Sequence, residues 1–153
     1  MDTIEQWKQL IRQANSAFAH EHFQLAAALY QQAAMLLTDA WPHYQQQIRA
    51  ADSHHGQDSI TLLVICFSIS IQNLAETYAR QQRWRRCLST LNRSLQQVTQ
   101  LQQTIPAAHP ASVALLRESC NLRREMHRLS LLSTQLCPSV AAKTLLPAST
   151  SVH

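Results

Sequence analysis

The chain has 153 residues, a formal net charge of +4 and only 14% charged side chains against 46% hydrophobic ones, enough for one domain that buries about 70% of the surface its unfolded form exposes. Its single glycine, Gly56, leaves little of the residue that hairpin turns and β-bulges use most, which argues against a sheet-rich fold. Charge is lopsided: residues 1–76 carry three basic and seven acidic side chains, net −4, and residues 77–153 carry ten and two, net +8.

Thr3 with Gln6 three residues later forms a capping-box signature, so a first helix is expected from about residue 3. Trp7, Leu10, Ile11, Ala14, Ala17 and Phe18 continue it at helical spacing to about His20. The segment before this helix has no apolar run, and no secretion signal is expected. A second stripe, Phe23, Ala26, Ala27, Tyr30, Ala33, Ala34 and Leu37, follows too closely for anything but an antiparallel hairpin. Asp39 to Pro42 is expected to break this helix, because proline lacks the backbone donor and disfavours helical geometry at Trp41 before it. Helix is then expected from Pro42 to Ala51, a polar loop from Ala51 to Asp58, and a third helix capped by Asp58 or Ser59.

The third helix carries Leu63, Phe67, Ile71, Leu74 and Tyr78 at steps of three and four. Its apolar run from Ile60 to Ile71 is shorter than the roughly twenty residues of a membrane span and reads as a buried helix, so no membrane is expected as a partner. After a turn at Gln81 to Arg83, a fourth helix runs from Trp84 to about Leu101 and ends before Ile105–Pro110. A fifth spans about Ala111 to Leu136. The expected organisation is all-α, about five helices in antiparallel hairpins with the last as a cap, forming one domain over 1–136. A Pro, Ser and Thr tail follows over 137–153. The four cysteines form no CxxC pair and read as reduced thiols, which points to the cytoplasm.

Two hairpins repeat one pattern. Leu10, Ala14, Ala17, Phe23, Ala26, Tyr30 and Ala33 match Ile71, Ala75, Tyr78, Trp84, Cys87, Leu91 and Ser94 at identical intervals. The small residues allow close helix approach and the aromatic wedges the turn. This pattern resembles the tetratricopeptide repeat over about residues 7–100, which implies stacked helix pairs with a concave face for partners. The two copies lie 61 residues apart, against about 34 in that family. The layout with the segment from Asn73 to Tyr78 is also similar to a small bacterial family of tetratricopeptide-like proteins to which no function attaches.

Asn15 and Asn73 fall where some peptide-binding tetratricopeptide relatives carry a carboxylate clamp. Arg80, Arg83, Arg85, Arg86 and Arg93 surround Trp84, and Arg124 and Arg128 lie four apart on the fifth helix; such surfaces attract acidic partners or polyanions. His20 with His22, and His54 with His55, lack metal-ligand spacing, and no nucleophile, phosphate-loop or zincin motif is present. No enzyme activity, cofactor or metal is expected. The leading reading is an interaction module that binds a peptide or helix of another protein, with homodimerisation and nucleic-acid binding as alternatives.

Overall fold

The computed structural model describes residues 2–50 and 54–136, with side chains described over 2–46 and 59–136. It is all-α: α1 (Thr3–Ala19), α2 (Phe23–Ala50), α3 (His54–Arg80), α4 (Trp84–Thr104) and α5 (Pro110–Leu136). The expected tail over 137–153 lies outside the described residues.

Consecutive helices form antiparallel pairs, and α3 is the centre: α1, α2, α4 and α5 all pack on it, while α5 also covers α4. This position explains the composition of α3. Ser59–Arg80 is long and apolar enough to cross a membrane by length and hydropathy alone. It is also the one helix surrounded by four others, with Ile60, Leu63, Val64, Cys66, Ile71 and Leu74 buried. Close approach depends on small side chains at the crossings, and Ala14, Ala26, Ala33, Ala75 and Cys87 are fully buried. Trp7 of α1 donates its indole N–H to Ser70 Oγ of α3 at 2.7 Å, and Ser70 in turn donates to the Cys66 carbonyl, so two buried polar groups are satisfied across the first and third helices.

The two hairpin turns are copies at the same offset of 61 residues. His22 N–H bonds to Ala17 O and Glu21 N–H to Phe18 O; Arg83 N–H bonds to Tyr78 O and Gln82 N–H to Ala79 O. These are Schellman closures, which place the residue after the C-cap in the left-handed region. Glu21 and Gln82 occupy it, with φ of 61° and 59°, where a side chain costs about 1 kcal/mol that glycine avoids. Glu21→Gly and Gln82→Gly are therefore each expected to raise the unfolding free energy by about 0.5–1 kcal/mol. Gln13→Gly in mid-α1 should lower it by about 1 kcal/mol. Urea denaturation of the three variants checks the contrast.

Three sequence expectations are corrected. Asp2, not Thr3, is the N-cap of α1, and it makes no side-chain cap bond. The break at Asp39–Pro42 does not occur: α2 runs through Pro42 to Ala50. An internal proline costs about 3 kcal/mol, and here Pro42 is exposed while Leu37, Trp41 and Tyr44 of the same helix are buried, so packing offsets the lost bond. The loop expected over Ala51–Asp58 is not found over 54–58, where α3 has already begun at His54; residues 51–53 lie outside the described residues.

Candidate functional site

α2 and α4 both pack on α3 without packing on each other, and the hollows that residues of all three helices line form a trench between them with α3 as its floor. One end is an apolar cavity of about 340 Å³, walled by Leu37, Thr38 and Trp41 of α2 and by Gln97, Val98 and Leu101 of α4. Leu63, Val64 and Phe67 form its floor and Leu115 of α5 reaches into its lining. A second hollow of about 360 Å³ continues it toward the hairpin turn, sharing Thr38, Phe67 and Gln97 and adding Met35, Asp39, Ile71, Tyr78, Arg86 and Arg93. Stepping along α3 by three and four, Leu63, Phe67, Ile71, Leu74 and Tyr78 thus lie beneath the whole trench.

The trench changes character along its length. Its apolar end presents one polar oddity: the indole N–H of Trp41, a residue 9% exposed, has no hydrogen-bond partner. Its other end is basic. The Arg86 guanidinium stacks over the Tyr78 ring at 5.4 Å and Arg83 over the same ring at 5.6 Å, while Arg93 is exposed on the rim. Asp39 faces them from α2.

The other sequence-derived candidates separate. Asn15 accepts the Tyr30 hydroxyl at 2.5 Å, which uses its side chain to close the α1–α2 hairpin. Asn73 is half-buried, and its carbonyl accepts the Thr77 hydroxyl; neither asparagine lines the trench. Arg80 pairs with Glu76 at 3.5 Å and lies over the Phe18 ring at 5.5 Å. Arg128 bridges Glu76 at 2.9 Å and Glu125 at 2.5 Å, so it ties α5 to α3; these hydrogen bonds, the one to Glu125 foremost, raise its already high pKa. Arg85 is exposed on α4. Arg124 lies on the outward face of α5, where Val113, Leu116, Cys120 and Leu131 are also exposed. Of the nine candidates only Arg86 and Arg93 line the trench.

Sequence reasoning missed Thr38 and Trp41, because the apparent break over Asp39–Pro42 hid the wall that α2 supplies there, and Gln97, because one exposed polar residue on α4 carries no local signal. His20 and His22 stack with ring centroids 6.2 Å apart, and among the described residues no three His, Cys, Asp or Glu side chains gather as a metal site would require. Cys66 and Cys87 are buried and Cys120 is exposed, all three free thiols.

The chain defines an all-helical protein built from two hairpins and a fifth covering helix. A family model described as protein of unknown function (DUF2753) matches residues 5–142, and the chain belongs to that family. No curated protein and no solved structure matches it.

Proposed function

We propose that the protein is a non-catalytic interaction module, adaptor or chaperone-like, whose α2–α4 trench holds a segment of another protein. The observation that carries this reading is the trench itself: an apolar cavity with a floor of core residues, open to a rim of Gln, Thr and Arg side chains. Sites of this kind combine an apolar pocket with a few polar groups that fix orientation. The duplicated turns at Glu21 and Gln82 support the tetratricopeptide kinship of the two hairpins, with the site on the side of their second helices rather than on a concave face. The free thiols are consistent with a cytoplasmic protein.

The alternatives are less well supported. The arginine cluster that would hold a polyanion is divided, with Arg80 and Arg128 committed to Glu76 and only Arg86 and Arg93 lining the trench. Twofold pairing through the exposed α5 stripe would bring Arg117, Arg123 and Arg124 of two copies together, which like-charge repulsion opposes. The test is site-specific photocrosslinking in cells from a photoreactive residue at Gln97, on the trench rim, against one at Val113 on α5. A discrete adduct with a heavier protein from Gln97 and none from Val113 is expected; the reverse pattern would move the site to α5.

A further inference from the structure

The asymmetry of the trench selects its occupant. The cavity end takes bulky apolar side chains. The other end carries Arg86 and Arg93 on the α4 wall, opposed by Asp39, and Arg93 makes no ion pair among the described residues. A guanidinium stacked on a ring, as Arg86 is on Tyr78, keeps its in-plane N–H groups for a carboxylate. Trp41 presents its large side chain on the cavity wall; its buried indole N–H has no acceptor, which is equally true of Trp84 outside the trench. An extended segment keeps its backbone N–H and C=O groups free for the Thr38, Gln97, Gln100 and Thr104 side chains that line the cavity, whereas the middle of a helix has them bonded internally. Along α4, Leu101 is eight residues from Arg93 and fifteen from Arg86, about 12 and 22 Å. An extended chain covers those distances in about four and seven residues.

Building on the docking role of the trench, we infer that its occupant is an acidic extended segment of another protein. A bulky apolar side chain fills the cavity beside Trp41, the segment's backbone groups meet the Thr and Gln side chains of the rim, and Asp or Glu about four to seven residues away meets Arg93 and Arg86. The protein's own residues 137–153 contain no Asp or Glu, and the acidic side chains described in a second copy lie on or beside its helices. Neither supplies the pattern.

Selection of displayed random twelve-residue peptides on the immobilised full chain, followed by affinity measurement by fluorescence anisotropy, tests this. Enriched peptides are expected to join an apolar anchor to acidic residues at that spacing. Their affinity should fall about tenfold in Arg93→Glu and be lost in Gln97→Trp, which plugs the trench from an exposed position. Circular dichroism verifies that each variant is folded. Peptides blocked by Gln97→Trp but indifferent to Arg93→Glu, or acid-free peptides resembling residues 137–153, would overturn the acidic occupant while leaving the trench as the docking site. Peptides indifferent to Gln97→Trp, or no enrichment at all, would overturn the docking role as well. Self-association in light scattering that Gln97→Trp abolishes would assign the trench to a second copy and overturn the inference.

Discussion

Leu122→Ala is expected to lower the unfolding free energy by about 3 kcal/mol, and Leu131→Ala, nine residues along the same helix, by less than about 0.5 kcal/mol. Leu122 is fully buried where α5 covers α3 and α4, whereas Leu131 is 53% exposed. Truncating the first leaves a cavity that close-packed neighbours fill only in part; truncating the second removes surface that water already reaches. Denaturant titration of both variants decides whether α5 is part of the core, as the geometry requires, or an appendage. Equal small effects would mean that α5 is not docked as described.

The second large effect is on pH. Burial pushes the Cys66 thiol from 9.0 to about 11, with Lys8 acting weakly against it. Burial, helped by Glu76 and Glu125 and opposed by Arg128, pushes the Cys87 thiol to about 12. A thiol whose pKa is raised on folding binds its proton more tightly in the native state, so its stabilising contribution is complete below the unfolded value and lost as pH climbs through the folded one. Stability should therefore fall between about pH 9 and pH 12, by on the order of 2–4 kcal/mol for each cysteine. Tyr30 and Tyr44, both raised first by burial, add to the fall at its upper end. Urea midpoints measured from pH 8 upward in wild type and in Cys66→Ala/Cys87→Ala check this: the double variant should show the shallower slope, and an unchanged slope would mean that the thiols are not buried.

Much of the fold is legible in the sequence for a local reason. In α1 and α4 the apolar residues recur at strict three and four spacing with polar residues between; of the positions read as core, Trp7, Ala14 and Ala17, then Trp84, Leu88, Leu91 and Val98 are buried, and Leu10, Ile11, Phe18, Leu95 and Leu101 are partly buried against them. The paired turns were legible through their aromatics, although the left-handed Glu21 and Gln82 gave no signal, because neither residue type favours that conformation. What local pattern hides is tertiary override. Pro42 looks like a stop, yet α2 continues because the residues around it bury Leu37, Trp41 and Tyr44 in the core.

The same limit shaped the site. A helix face made of Leu63, Phe67 and Ile71 reads equally as sealed core or as the floor of an opening, and only the separation of α2 from α4 distinguishes them. The arginines were visible as a cluster, but their division between ion pairs, ring contacts and the trench rim depends on which helix faces which. Arg128 and Glu76, 52 residues apart, show this most plainly.

The docking role of the trench is tested most directly by two-dimensional amide NMR of the full chain titrated with an enriched acidic peptide. Shifts confined to residues 31–42, 63–78 and 86–104, together with a moved Trp41 indole resonance, are the expected result. Shifts along the outward face of α5 between residues 113 and 131, with the trench amides unmoved, would contradict it.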